Sequence, residues 1–104
     1  MKPLVLSAAA VFTFASGPLL AADAQELLKE KACLSCHTVD KKLVGPAYKE
    51  VAAKYKSRKD AEAYLVKKIK EGSTGVWGPF PMPPNGTVGD DDAKTLAKYI
   101  LTVK

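Results

Sequence analysis

The stretch that decides the fold is Cys33-Leu34-Ser35-Cys36-His37. Two cysteines separated by two residues and followed at once by a histidine form the attachment sequence of a c-type haem. Thiols about one helical turn apart can add to the two vinyl groups on one edge of the macrocycle, and the adjacent histidine then lies under the iron. The motif therefore predicts one covalent haem c, attached through Cys33 and Cys36, with His37 as an axial ligand.

Other uses of two cysteines fit this chain less well, although they remain alternatives. A structural zinc site needs four ligands, whereas the chain has two cysteines and one histidine. A thioredoxin-like dithiol occurs in a strand–helix–strand context, and no strand pattern is found here. A plain disulfide would not explain the adjacent histidine. A dithiol oxidoreductase would have free thiols and no pigment.

The sixth position of the iron has one candidate ligand. His37 is the only histidine, so a second histidine from the same chain is excluded. Met82 is the only methionine besides Met1, and the surrounding sequence Pro81-Met82-Pro83-Pro84 restricts its backbone. A methionine ligand raises the reduction potential of haem iron and fills the position that oxygen would take. A methionine that only fills a core gap is the alternative, and a haem enzyme or gas sensor would need Met82 off the iron.

The first 22 residues have the layout of a secretory signal peptide. Lys2 supplies a positive charge, residues 4–14 are almost entirely apolar, and small residues with a proline follow at 15–18. The apolar run is too short to span a bilayer. Cleavage after Ala22 would leave Asp23 to cap the first helix, whereas cleavage after Ala24 fits the small-x-small rule better. We favour Ala22, which predicts a periplasmic domain over residues 23–104.

Residues 23–104 contain four predicted helical segments and no convincing strand pattern. Apolar spacing predicts helices over about 24–31, 46–54 and 60–71, and a final helix with one apolar stripe that consists of Ala93, Leu96, Ala97, Ile100 and Val103. Pro46 is predicted at the first position of its helix and Gly72 at the end of the third. The loop over 72–89 is long and rich in glycine and proline, which indicates a segment wrapped over something.

Several of these motifs together resemble the short bacterial class I cytochromes c, of the c-551 and c-552 type. The matching segments are 33–37, Val44-Gly45-Pro46-Ala47-Tyr48, Gly75-Val76-Trp77-Gly78, Pro81-Met82-Pro83-Pro84-Asn85 and the final helix. The resemblance implies an all-α class I cytochrome c fold, in which four short helices surround one covalent haem and the N- and C-terminal helices cross. It also implies an electron carrier, not an enzyme.

The resemblance implies roles for four more residues. The carbonyl of Pro46 should accept the outer ring proton of the histidine ligand, Trp77 should donate to a haem propionate, and Asn85 should hydrogen-bond near the methionine sulfur. Trp77 as a plain core residue and Asn85 as a turn residue are the alternatives. Lys68 stands where many relatives have arginine, so it keeps the charge but loses the bidentate geometry toward a propionate.

The expected partners are respiratory redox proteins, namely donor and acceptor cytochromes, reductases, peroxidases or oxidases. The chain has a formal net charge of +5, and Lys41, Lys42 and Lys49 could surround the haem edge and steer acidic partners, or be ordinary solvated lysines. Nucleic-acid binding has no support beyond this charge. We expect no membrane-spanning segment in the mature chain and a monomer, with a domain-swapped dimer as the alternative.

Overall fold

The computed structural model describes residues 16–104, with side chains from residue 23. Its elements in order are α1 (Ser16–Glu30), a 3-10 helix (Cys33–Ser35), α2 (Tyr48–Tyr55), α3 (Ala61–Glu71) and α4 (Asp90–Thr102). Within these residues the only β pairings are two isolated bridges, His37 with Lys42 and Ser73 with Met82. None of the described helices is both long and apolar enough to cross a bilayer. The prediction of an all-helical domain is confirmed.

Helix α4 is the element on which the other three helices pack, since it contacts α1, α2 and α3. Its first turn carries three aspartates, which complement the positive end of the helix dipole. Leu96 at its centre is only 1% exposed, so this helix forms the middle of the core. Val103, predicted on the same stripe, lies beyond the end of the helix and is half-buried.

The core is formed from apolar faces of all four helices at the spacing that the sequence predicts. No charged or polar side chain is buried among the described residues. The largest cluster consists of Leu28, Tyr48, Val51, Tyr55, Ala61, Leu65, Ile69, Val88, Ala93, Leu96, Ala97 and Ile100.

Helix α1 begins at Ser16, earlier than the predicted start near Ala24. In the uncut chain residues 19–22 are leucines and alanines, which are good helix formers, and Pro18 lies in the first turn, where proline is tolerated. The helix ends at Glu30, and Ala32 then takes a left-handed φ of 57° that turns the chain toward the 3-10 helix. The predicted signal peptide over residues 1–22 lies outside the described side chains, and residues 1–15 lie outside the described residues altogether.

Helix α2 begins at Tyr48, so the prediction that Pro46 occupies the first helical position is wrong. The chain is extended at Ala47, with φ −62° and ψ 145°. The backbone N–H of Tyr48 donates to the carbonyl of Thr38 at 2.9 Å. The preceding loop therefore satisfies a first-turn donor that a side-chain cap would otherwise satisfy.

Helix α3 ends as predicted at Gly72, whose φ is 74°. Its inward face carries Ala61, Leu65 and Ile69, all buried. The segment from 72 to 89 contains no helix, as the sequence predicts, and it folds back beside the end of α3 through the Ser73–Met82 bridge.

Candidate haem-binding cavity

A cavity of about 400 Å³ lies between helices α2, α3 and α4 and the two loops that carry the predicted ligands. This volume is in the range of about 300–1,000 Å³ that is usual for cofactor sites. All of the site residues predicted from the sequence line it, namely Cys33, Cys36, His37, Pro46, Lys68, Trp77, Met82 and Asn85. The fold therefore brings these predicted site residues, which are spread over 53 residues of the sequence, together around one cavity.

The residues of the cavity fit a covalent haem. Much of the wall is apolar, including Val51, Leu65, Ile69, Leu96 and Ile100, which suits a flat macrocycle. The wall also presents two thiols, one imidazole and one thioether, the set of groups expected to hold a haem c with two axial ligands. Within residues 16–104, no three His, Cys, Asp or Glu side chains converge on a point where a metal ion could bind. The described residues thus do not provide the four ligands of a structural zinc site.

A tight turn presents both thiols to the cavity. The 3-10 helix over Cys33–Ser35 continues with hydrogen bonds from the backbone N–H of Cys36 and His37 to the carbonyl of Cys33, at 3.2 and 3.0 Å. Both cysteines are unbridged and half-buried, and burial raises the pKa of the Cys33 thiol. The sequence predicts the thiol spacing, but not that a 3-10 helix produces it.

The imidazole of His37 is oriented by the loop that precedes α2. Its Nδ1 lies 2.8 Å from the carbonyl oxygen of Pro46. Because a carbonyl oxygen can only accept, Nδ1 carries the proton and Nε2 keeps its lone pair. This hydrogen bond leaves Nε2 in the form that binds a metal and makes it a better electron donor.

Gly45 allows the backbone to approach the ring of His37 closely. A Cβ at residue 45 would lie 2.4 Å from Cε1 of His37 and 2.8 Å from its Nδ1. The backbone N–H of Gly45 donates to the carbonyl of Cys36 at 2.7 Å, which ties the loop to the attachment motif. The sequence predictions missed this steric role of Gly45. Its only signal in the sequence is that Gly45 directly precedes Pro46.

Met82 is held on its loop by backbone contacts. Its N–H donates to the carbonyl of Ser73 at 2.8 Å, and its own carbonyl accepts from the N–H of Ser73 at 3.0 Å. A Cβ at Gly72 would lie 2.3 Å from the Met82 carbonyl oxygen. Gly72, predicted only as a helix stop, therefore also makes room for the segment that carries Met82.

Asn85 anchors the same loop to the end of α3. Its side-chain Nδ2 donates to the carbonyl of Ile69 at 3.0 Å, and its backbone N–H donates to the same oxygen at 3.2 Å. The hydrogen bond near the Met82 sulfur, which the resemblance implies for Asn85, stays a prediction. The Ile69 carbonyl lies in the last turn of a helix and lacks a helical partner, so it is free to accept from Asn85.

Trp77 lies half-buried in the wall and contacts an aromatic ring and a cation. Its indole meets the ring of Tyr55 edge-on, with centroids 6.2 Å apart at 81°. The Nζ of Lys54 lies 4.6 Å from the indole centroid, a cation–π contact that nothing in the sequence pattern indicates. Lys68 also lines the cavity, and its Nζ lies 5.2 Å from the ring centroid of Tyr64.

Comparisons with known proteins point in one direction. A family model described as cytochrome c matches residues 21–104, which include every residue of the cavity wall. The chain is 52% identical over 105 residues to cytochrome c-551 of Pseudomonas aeruginosa, with all of both chains covered. It is 55% identical over 97 residues to cytochrome c-552 of Nitrosomonas europaea, which covers 88% of this chain and 93% of the relative.

Solved structures show the same similarity in three dimensions. The crystal structure of wild-type Nitrosomonas europaea cytochrome c552 matches with a TM-score of 0.75 at 56% identity, covering 77% of this chain and 99% of that one. The class 1 cytochrome MtoD of Sideroxydans lithotrophicus ES-1 matches with a TM-score of 0.67 at 34% identity, covering 79% and 94%.

Substituting two glycines tests the close packing around Met82. Gly72 and Gly78 both have a positive φ, 74° and 128°, so alanine is strained at either position. Only at residue 72 would the new Cβ also meet the Met82 carbonyl, because no protein atom lies within 4 Å of a Cβ at residue 78, which does not line the cavity. We expect Gly72→Ala to lower the free energy of unfolding of the haem-loaded protein more than Gly78→Ala, measured by denaturant titration. Equal losses would contradict the steric role of Gly72.

Proposed function

The chain belongs to the cytochrome c family, and we propose that it is a periplasmic one-electron carrier whose haem iron is bound by His37 and Met82. Family membership and the structural neighbours confirm the all-α class I cytochrome c fold expected from the sequence. A cytochrome c carries a covalently attached c-type haem and transfers electrons. The observation that carries the proposal is that one cavity collects two thiols, an imidazole and a thioether.

The iron of the bound haem supplies a site that takes up and gives back one electron. We assign the thioether bonds to Cys33 and Cys36, since the two half-buried thiols lie one tight turn apart in the cavity wall. His37 is the proposed nitrogen ligand, because the Pro46 carbonyl leaves the lone pair of Nε2 free.

Met82 is the proposed sulfur ligand. A neutral, soft thioether favours ferrous iron over ferric iron relative to a second nitrogen ligand, which raises the reduction potential. A filled sixth position leaves no place for oxygen or peroxide to bind, so the ligand set supports a carrier and argues against a haem enzyme or gas sensor. The paired backbone of Ser73 and Met82 and the anchor at Asn85 restrain the loop, so the ligand needs little rearrangement on electron transfer.

Other wall residues have proposed roles toward the haem. Trp77 is the proposed donor to a propionate, and Lys54, which lies over its indole, adds positive charge at that position. Lys68 is a weaker candidate for the same charge, because its Nζ lies near the ring of Tyr64. Asn85 is proposed to influence the potential by holding the loop of Met82 against the carbonyl of Ile69.

Replacement of Met82 tests the ligand set and the assignment as a carrier. We expect the parent protein to be red and low-spin, with the charge-transfer band of methionine-bound ferric haem. Met82→Ala should lose this band and lower the midpoint potential, and Met82→His should also lose the band but stay low-spin, because a nitrogen then fills the site. Absorption spectra and redox titrations measure both effects.

Each other outcome counts against a stated part of the proposal. An unchanged spectrum and potential in Met82→Ala would remove Met82 from the iron. A high-spin parent protein would favour the haem enzyme or sensor, and a colourless one the dithiol oxidoreductase.

The burial of Ala24 bears on where the proposed signal peptide is cut. Ala24 is fully buried, and it lies one helical turn before Leu28, a member of the core cluster. Cleavage after Ala24 would remove this residue from the domain, whereas cleavage after Ala22 retains it. We therefore propose that the mature domain begins at Asp23, with export by the residues before it.

The mass of the exported protein tests this start. A mature chain that begins at Asp23 and carries one haem should dominate the periplasmic fraction, as measured by intact-protein mass spectrometry. A mature chain that begins at Gln25 would contradict the proposed cut, and haem-loaded protein that retains residues 1–22 would contradict the signal peptide.

One exposed lysine and several exposed apolar residues line the cavity, and we take them to mark its mouth. Lys42, Leu43, Val44 and Phe80 line the cavity, and Phe80 is 71% exposed. Lys41 and Lys49, which the sequence also indicated, are exposed. We propose that redox partners dock here through an apolar contact rimmed by acidic groups, because positive charge at the mouth attracts such a surface and speeds the encounter.

Charged redox reagents can probe the electrostatics of this mouth. Lys42→Glu should slow oxidation by anionic ferricyanide several-fold and speed oxidation by a cationic cobalt(III) complex, with both effects shrinking at high salt. Lys98→Glu is the matched control, since Lys98 is exposed on α4 and does not line the cavity. Stopped-flow rates measure the difference, and equal effects of the two variants would show that electrons do not leave near Lys42.

A further inference from the structure

The ring of His37 packs against Tyr48, a residue outside the proposed ligand set. Tyr48 stacks on it, with ring centroids 5.0 Å apart and planes inclined by 21°. Tyr48 is 4% exposed and belongs to the core cluster. Burial raises the pKa of its phenol, so the stacked ring stays neutral at physiological pH. This contact is separate from the hydrogen bond between Nδ1 and Pro46.

Tyr48 is itself held firmly in place. It is the first residue of α2, and its backbone N–H donates to the carbonyl of Thr38 at 2.9 Å, one residue after His37. The backbone of Tyr48 is therefore held both by helix α2 and by the loop that carries His37. The backbone of Gly45 lies so close to the imidazole that a Cβ would not fit beside Cε1, so it restricts the ring at a further point.

The contacts with Tyr48 and Gly45 restrict the rotation of the His37 ring about its last side-chain torsion, which a single hydrogen bond controls poorly. The last torsion of a histidine side chain is broad, because it joins a tetrahedral carbon to a flat ring. A hydrogen bond tolerates a wide range of angles at the carbonyl, so the Pro46 contact alone leaves the ring plane loosely defined. A stacked ring and a close backbone contact restrict that remaining rotation.

We propose that Tyr48, together with Gly45, is a positioning residue that fixes the plane of the His37 ring and the direction of its Nε2 lone pair. This inference rests on the proposed function, in which His37 binds the iron. In ferric haem the plane of the ligand determines how unpaired spin is distributed over the macrocycle. A rotated ring would also weaken the hydrogen bond to Pro46, make His37 a poorer donor and raise the midpoint potential.

A comparison within α2 separates this role from simple core filling. Tyr55 lies in the same helix and is 6% exposed, close to the value for Tyr48. Its ring packs on Tyr64, with centroids 4.9 Å apart, and on Trp77. Of these two buried tyrosines of α2, only Tyr48 stacks on the histidine.

Three variants of the haem-loaded protein test the proposal by proton NMR of the ferric state and by redox titration. Tyr48→Leu removes the flat ring, so the pattern of haem methyl shifts should change and the midpoint potential should rise. Tyr48→Phe keeps the ring without its hydroxyl and should restore the parent pattern. Tyr99→Leu makes the same change at a half-buried residue of α4 that does not line the cavity, and it should leave the pattern unchanged.

A measurement on the parent protein covers the case in which Tyr48→Leu does not fold. In the ferrous, diamagnetic state, nuclear Overhauser effects should link the ring protons of Tyr48 with those of His37, and their absence would overturn the proposal. An unchanged methyl pattern in Tyr48→Leu, or an equal change in Tyr48→Phe or Tyr99→Leu, would also overturn it. The proposed ligands are tested separately, because their failure would appear as a parent spectrum without the methionine-bound, low-spin signature.

Discussion

The hydrogen bond between Nδ1 of His37 and the carbonyl of Pro46 links the chemistry of the site to the fold. It assigns the ring proton to Nδ1, which leaves Nε2 available to a metal. To make this bond, the chain stays extended at Ala47 and α2 begins only at Tyr48. The close approach of Gly45 and the stack of Tyr48 are neighbours of the same contact. The orientation of one ring thus depends on four consecutive residues.

The second loop reaches the same cavity by a different means. Its contacts are mostly main-chain contacts, in which Met82 pairs with Ser73 and Asn85 reaches the carbonyl of Ile69. Prolines around Met82 reduce the freedom of the loop before it folds, and the absence of a Cβ at Gly72 lets it approach α3. Under the proposed ligation, this backbone pairing would limit the movement of Met82 when the iron changes charge, which suits an electron carrier.

Helix α4 makes these two loops part of one domain. It packs against α1, α2 and α3, and its residues Leu96 and Ile100 belong both to the core and to the cavity wall. The helices leave a cavity of about 400 Å³ with a largely apolar wall. A haem bound there, as proposed, would complete the apolar interior of a small domain, so we expect attachment of the cofactor and folding of the chain to be coupled.

The sequence by itself determined the haem motif, the helical class, the stop at Gly72 and the family. Short spacings and apolar periodicity are local properties of the chain, so they can be recognised without its three-dimensional structure. It placed Pro46 in a helix wrongly, because the start of α2 at Tyr48 depends on the carbonyl of Thr38 in the preceding loop. It also did not show that Asn85 anchors its loop to the carbonyl of Ile69, because that contact joins two separate segments. The tertiary structure alone decided which atoms meet around His37 and Met82. Close packing at Gly45, Gly72 and Tyr48 arises only when segments that are distant in sequence meet around one cavity. No local sequence pattern encodes the distances between those segments.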